Sequence, residues 1–241
     1  MIKTCLFYLD FFIYMLLTLF KKSKLESLRK YKSKEEVECY INKVAREWAL
    51  HVLGVVGAKV HVIGKENIPN ETCLYVANHQ GYLDIPILMS SIGKPVGFIA
   101  KKEILKVKIV SYWMKQLRCI FMDRDNVRES IKSINEGIDN LNNGYNMAIF
   151  PEGTRSKGPK IGEFKKGSMK LALKSGVPIV PVAIDGSYKL REGNKNGYIK
   201  SGEVKVTICK PVYPKELLKE EQANLAEYLR DIISEKITIE K

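Results

Sequence analysis

Residues 72–86, TCLYVANHQGYLDIP, constrain the fold of this chain more tightly than any other stretch. TCLYVAN is an apolar, strand-like run, Gly81 supplies backbone freedom, and Asp84-Ile85-Pro86 has the form of a helix start. A strand therefore turns directly into a helix here, and the turn carries His79 and Asp84. The two could not share a helical face, because at ~100° per residue positions five apart are separated by about 140°. On such a turn the Asp84 carboxylate can fold back onto the His79 ring. It then fixes the tautomer and stabilises the imidazolium formed when the other nitrogen takes a proton. An H-x-x-x-x-D spacing taken alone is weak, since His and Asp recur by chance and a surface histidine needs no function. As a general base the pair has no serine attached: no G-x-S-x-G elbow occurs and no cysteine adjoins the histidine. The proton would have to come from a substrate alcohol or amine.

A second cluster, FPEGTRS, lies at residues 150–156. Arg155, Arg124 in FMDRD, and Lys101 and Lys102 are cations at the ends of elements, where a phosphate could be held, and the planar fork of arginine suits that ligand. In so lysine-rich a chain a single basic residue is more often a solvated surface charge. Position near the motifs, rather than charge, singles out Arg124 and Arg155. Gly153 would permit close backbone approach to an anion, while Pro151 stiffens the turn leaving NMAIF. Glu152 would repel a phosphate unless it points away to hold a neighbouring arginine or backbone amide, which is its expected role.

Four blocks in order, NHQGYLD (78–84), CIFMDRD (119–125), FPEGTRS (150–156) and VPIVPVAI (177–184), resemble the motifs of the glycerolipid acyltransferase family. Within it, the chain is similar to the bacterial 1-acyl-sn-glycerol-3-phosphate acyltransferases. GKENIP (64–69), AKKEI (100–104) and EFKKGSMKLA (163–172) add to the match, which spans roughly residues 55–190. The resemblance implies that His79 is the base for the acceptor hydroxyl and that Asp84 orients it. It implies Arg124 as a phosphate ligand, with Glu152, Gly153, Thr154 and Arg155 beside the same phosphate and Lys101 or Lys102 assisting. The implied reaction is direct acyl transfer from an acyl carrier protein or coenzyme A thioester to the sn-2 hydroxyl, giving phosphatidic acid for phospholipid biosynthesis. It passes through a tetrahedral oxyanion with no covalent acyl-enzyme. General-base assistance of this kind is worth roughly 10²–10⁴ in rate.

Two other readings stay open: an acyltransferase acting on glycerol-3-phosphate, another lysophospholipid or a lyso-aminolipid, and a non-catalytic basic protein that binds lipid at a membrane surface. One departure from the family pattern is Arg118, before Cys119, where a small residue or glycine is frequent. It is read as a surface charge rather than an acceptor-selectivity element. The fourth block, with Val177, Ile179, Val180, Val182 and Ile184, reads as a buried strand rather than a chemical site.

Residues 5–20, CLFYLDFFIYMLLTLF, are apolar but interrupted by Asp10, and fall short of the ~20 residues that cross a bilayer upright. KKSK follows instead of a small-residue cleavage site, so the segment is expected to stay in the protein. Lys21, Lys22, Lys24, Arg29, Lys30, Lys32 and Lys34 come next and suit anionic headgroups on the cytoplasmic face of the cell membrane. A second helix from Lys34 to about Val56 completes a two-helix motif that would dip into one leaflet, a single tilted span being the alternative. Residues 1–56 are thus expected to be membrane-associated and residues 57–241 to form the catalytic domain.

The formal net charge of +13 suits work on anionic lipid. Nucleic acid is not expected, because the lysines are spread along the chain and no helix-turn-helix, RRM or zinc-finger pattern occurs. Five widely spaced cysteines give no disulfide framework and fit a reducing cytoplasm. With only three histidines, His51, His61 and His79, and no C-x-x-C or H-E-x-x-H, neither a metal nor a cofactor beyond the thioester co-substrate is expected. His51 and His61 are read as structural or exposed.

The rest reads as one layered α/β domain with a central mixed sheet flanked by helices. VGFIA, CIFM, MAIFP, VPIVPVAI and VKVTIC are the strand-like runs, and 103–117, 127–142, 165–175 and 214–236 the helical ones. The loop SKGPKIG, residues 156–162, is expected to be able to move over the acceptor site.

Overall fold

The computed structural model describes residues 1–123 and 126–238, so Arg124 of the second motif lies outside the described residues. Among the described residues, one seven-stranded sheet holds β1 (Ala58–Ile63), β2 (Leu74–Ala77), β3 (Gly97–Lys101), β4 (Ile120–Met122), β5 (Met147–Ile149), β6 (Ile179–Asp185) and β7 (Gly202–Ile208). Their spatial order is β1-β7-β6-β2-β5-β3-β4, and every neighbouring pair is parallel except β6 with β7. The helices are α1 (Ile2–Tyr31), α2 (Lys34–Val56), α3 (Asp84–Ile92), α4 (Lys108–Gln116), α5 (Val127–Asn142), α6 (Lys166–Ser175), α7 (Lys219–Ala223) and α8 (Leu225–Ser234).

From β2 the chain steps outward to β3 and β4 through α3 and α4, then returns to β5 and β6 through α5 and α6. Parallel crossovers keep one hand, so reversing the direction of travel puts the two pairs of helices on opposite faces of the sheet. Strand alternation feeds both faces. Tyr75, Ala77, Val180, Val182 and Ile184 pack on the side of α1 to α4, and Leu74, Val76, Ile179 and Ala183 on the side of α5, α6 and α8. β6 is buried over nearly its whole length, the covered strand expected of the fourth block. Because β6, β2, β5, β3 and β4 run parallel, the residues that follow them emerge at one edge, where open sheets of this kind form their crevices.

The structure departs from the sequence expectations at four places, each with a local cause. β1, not among the expected strands, is AKVHVI, in which exposed Lys59 and His61 alternate with half-buried neighbours. The stretch 103–117 is broken, because Val107, at φ −91° and ψ 84°, is non-helical and separates a 3-10 turn at Lys102–Lys106 from α4. The C-terminal helix is split at Asn224, whose φ is −105°. α1 is not confined to the apolar run but continues through the basic cluster as 30 helical residues, since the segment contains no Gly or Pro and its Lys, Leu, Glu and Arg are good helix formers.

At the elbow, Ser33 caps α2: its hydroxyl oxygen accepts the Glu36 N–H and the Glu36 carboxylate accepts the Ser33 N–H. Such caps stabilise a helix by about 1 kcal/mol. α1 is fastened along its length by buried Phe7, Met15, Thr18 and Leu25. Asp10, the charge that interrupts the apolar run, meets Nε2 of His51 on α2 at 2.8 Å, and Lys21 meets Glu47 at 2.7 Å. The outer face leaves Leu6, Leu9, Phe12, Ile13, Leu16, Leu17 and Phe20 exposed, and α1 is long and apolar enough to cross a membrane by length and composition.

Candidate active site

β2 ends at Ala77 and α3 begins at Asp84, so residues 78–83 form the strand-to-helix turn that the sequence demands. Asn78 anchors it to β6: its amide donates to the Ile184 carbonyl at 2.9 Å and its oxygen accepts the Ile184 N–H at 2.8 Å. Next along the turn, His79 places Nδ1 2.7 Å from Asp84 Oδ2. That oxygen also accepts the N–H groups of Gln80 and Gly81 at 2.6 and 2.8 Å, while Oδ1 accepts from the Ser187 hydroxyl. Asp84 is fully buried, and four donors converging on one carboxylate are what such burial requires. Phe150 fixes the plane of the imidazole by stacking on it, with centroids 4.1 Å apart and rings 17° from parallel. With Nδ1 donating to Asp84, Nε2 is the basic nitrogen. His79 lines a cavity of about 580 Å³.

FPEGTRS is laced to the same turn. The Ser156 and Lys157 N–H groups donate to the His79 and Gln80 carbonyls at 2.8 and 3.2 Å. In the other direction, Glu152 Oε1 accepts the His79 N–H at 2.6 Å and Oε2 accepts the Gly162 N–H at 2.8 Å. Glu152 is thus a buried holder of backbone amides, the role expected from its chemistry, and burial pushes its carboxyl above the usual range against the pull of those two donors. The loop 156–162 is tied at both ends by these bonds. Gly153 has φ 71°, a backbone conformation that favours glycine.

Thr154, Arg155 and Lys101 join His79 in lining the cavity. The Arg155 guanidinium sits 3.5 Å above the Tyr82 ring and 3.2 Å from Glu192 Oε1, and Lys101 Nζ is 3.1 Å from Glu103. Lys102 does not line the cavity and faces Asp123 at 3.5 Å. Arg118 is absent from it too. It has φ 57°, a conformation that favours glycine, and pairs with Tyr145 and Glu38, so it closes the end of α4 as a surface charge.

Most of the rest of the lining is apolar, with Phe11 and Met15 from α1, Val44 and Trp48 from α2, Met89 from α3 and Trp113 from α4, while Thr18 and Glu103 add polar groups. Cys119 also lines it, but burial pushes its thiol up to about 12, and the thiolate is the nucleophilic form. It is therefore not poised to take an acyl group.

The profile of the family described as Acyltransferase matches residues 59–185, more than half of the chain. The chain belongs to the acyltransferase family. Among relatives of this acyltransferase, a Mycoplasma genitalium protein named "Probable 1-acyl-sn-glycerol-3-phosphate acyltransferase" is 38% identical over 200 residues, covering 78% of this chain and 74% of the relative. A Brassica napus chloroplast protein named 1-acyl-sn-glycerol-3-phosphate acyltransferase BAT2 is 35% identical over 157 residues, covering 64% of this chain. The chain spans about half the length of that plant relative, 45% of it. The crystal structure of PlsC, the 1-acyl-sn-glycerophosphate acyltransferase of Thermotoga maritima, superposes with a TM-score of 0.84 at 30% identity, covering 98% of this chain and 95% of that one.

Several residues of the acyltransferase site escape short-range reading. Asn78 and Gln80 stand inside the first motif but show no role until β6 is placed beside them; Gln80 Oε1 accepts the Gly186 and Ser187 N–H groups at 3.0 and 3.1 Å. Ser187 and Glu192 come from the segment after β6, more than a hundred residues from the groups they hold, and nothing in the local sequence marks them.

Proposed function

We propose that this acyltransferase moves an acyl group from an acyl carrier protein or coenzyme A thioester to the sn-2 hydroxyl of 1-acyl-sn-glycerol-3-phosphate, forming phosphatidic acid. The observation that carries this reading is a half-buried, carboxylate-held histidine on a cavity that also bears Arg155 and Lys101 and is otherwise lined mainly by apolar side chains. The names of the relatives support the same reaction.

In this reading the acceptor phosphate lies at Arg155, with Lys101 and Thr154 beside it and Arg124 as the second-motif ligand, and the sn-2 hydroxyl reaches His79 Nε2. His79 takes the hydroxyl proton as the oxygen attacks the thioester carbonyl. The tetrahedral oxyanion then collapses, and the thiol leaves with the proton held by the imidazolium. Asp84 keeps the tautomer and stabilises that imidazolium. Glu152 and Gly153 act on the backbone, holding His79 and shaping the turn. The acyl chain occupies the apolar part of the cavity, where each buried methylene contributes about 0.8 kcal/mol. No cofactor enters these steps.

Residues 1–56 serve in this reading as a monotopic anchor on the cytoplasmic face of the membrane, with 57–241 as the catalytic part. Support comes from the pattern on α1: one stripe fastened to the protein, the opposite face apolar and exposed, and lysines at its end.

The test is transfer of radiolabelled acyl groups from both thioesters to lysophosphatidate, with glycerol-3-phosphate and lysophosphatidylcholine in parallel, by wild type and His79→Ala. Phosphatidate from wild type and none from the variant is expected. Activity on another acceptor alone would replace the substrate, and no transfer from either donor would overturn the reading.

A further inference from the structure

The segment after β6 brings Arg191 and Glu192 against the turn that carries His79. Glu192 is a buried carboxylate, with only 5% of its side chain exposed. Its Oε1 accepts the Tyr82 N–H at 2.8 Å and lies 3.2 Å from Arg155 Nη1 and 3.8 Å from Arg191 Nη1. Its Oε2 has no partner among the described residues, and neither does Nε of Arg191, although both atoms are buried. The Tyr82 ring carries both guanidinium groups, Arg155 at 3.5 Å and Arg191 at 4.7 Å. Gly81 leaves the room Glu192 needs, since a Cβ there would lie 2.5 Å from Oε2.

We infer that Glu192 is the counter-ion of Arg155 before the acceptor binds, and that Arg191 takes Glu192 over when the acceptor phosphate draws Arg155 away. The inference rests on the acceptor site proposed above. Arg155 lines the cavity and Glu192 does not, so a phosphate in the cavity competes with Glu192 for one guanidinium. A carboxylate this buried is costly to leave without a cation. Arg191 removes that cost, because its unpartnered Nε and the unpartnered Oε2 are a donor and an acceptor on side chains already 3.8 Å apart. A turn of the guanidinium that sets Nε on Oε2 and Nη2 on Oε1 gives the two-pronged geometry that guanidinium and carboxylate favour. Tyr82 offers a surface on which both guanidinium groups remain stacked through the exchange.

The exchange also discriminates among acceptors. A lysolipid with a neutral headgroup gives Arg155 nothing in return for Glu192, so the ion pair stays closed against it.

Steady-state kinetics of the full chain with lysophosphatidate would test the exchange. Arg191→Ala should raise the acceptor KM about tenfold, equivalent to ~1.4 kcal/mol, with the thioester KM unchanged. Adding Glu192→Gln to Arg191→Ala removes the stranded charge and should bring the acceptor KM back to within about twofold of wild type, a coupling that a double-mutant cycle reads directly. Should Arg191→Ala fail to fold, Arg191→Lys, which keeps a charge but loses the fork, should show a smaller rise that Glu192→Gln again reverses. A double variant as impaired as its Arg191 parent would overturn the exchange, because a direct phosphate ligand or a packing residue would not be rescued. Arg155→Ala separates the two levels: an unchanged acceptor KM there would remove the acceptor site itself, whereas a raised KM without rescue would remove only the exchange.

Discussion

Two buried carboxylates, Asp84 within the turn and Glu192 more than a hundred residues further along the chain, hold the same turn, and they are satisfied to different degrees. Asp84 has both oxygens occupied, by His79, two backbone amides and Ser187. Glu192 has one oxygen shared among Tyr82, Arg155 and Arg191 and the other unpartnered among the described residues. A fully satisfied carboxylate has a single arrangement, which suits a base whose tautomer must be set before substrate arrives. A half-satisfied one has a second arrangement within reach, which suits a site whose charges must rearrange around an incoming anion.

The largest expected effect comes from breaking the finished side. Asp84→Asn keeps the shape but sets an amide against Nδ1, so the wrong ring nitrogen carries the proton. kcat should fall by about 10⁴ with the acceptor KM little changed, as tautomer loss does in other histidine bases. A fall of less than tenfold would mean that the pair does not act as a dyad. Ser187→Ala removes one of four donors and leaves the tautomer intact. A loss of about tenfold in kcat is expected, from one charge-assisted hydrogen bond of ~1.5 kcal/mol. If kcat fell instead as far as in Asp84→Asn, Ser187 would belong to the chemistry rather than to its support.

The smallest effect concerns Glu152, whose carboxyl burial raises. The folded protein then holds that proton more tightly than the unfolded chain, so this contribution to stability is present at low pH and is lost as pH rises through the raised value. The melting temperature of wild type relative to Glu152→Gln should therefore decline from acid towards neutral pH. A difference constant with pH would show that the carboxyl does not titrate over that range.

How much of this was legible beforehand follows the distance along the chain. His79 and Asp84 are five residues apart on a turn that the strand, glycine and helix start already require, so their contact could be argued without coordinates. Glu152 could be given the right kind of partner by exclusion, because an acid next to an anion site has to be occupied elsewhere. Ser187 and Glu192 could not be found, since what brings them in is β6 lying beside β2, a long-range pairing with no local mark. The fold shows the same division. The covered β6 and the helices at Val127–Asn142 and Lys166–Ser175 follow from runs and periodicity. The break at Val107 does not, because no Gly or Pro in 102–116 marks it.

The cavity beside His79 is walled in part by Phe11, Met15 and Thr18 of α1 and by Val44, Ala45 and Trp48 of α2. None of these residues falls within 59–185, the part that matches the family profile. Trimming the chain to that part would therefore take away one side of the cavity proposed to hold the acyl chain. The cut would also take Ser187, the hydroxyl that donates to Asp84, and β7, the strand between β1 and β6, so the His79 dyad would lose part of its support together with its wall.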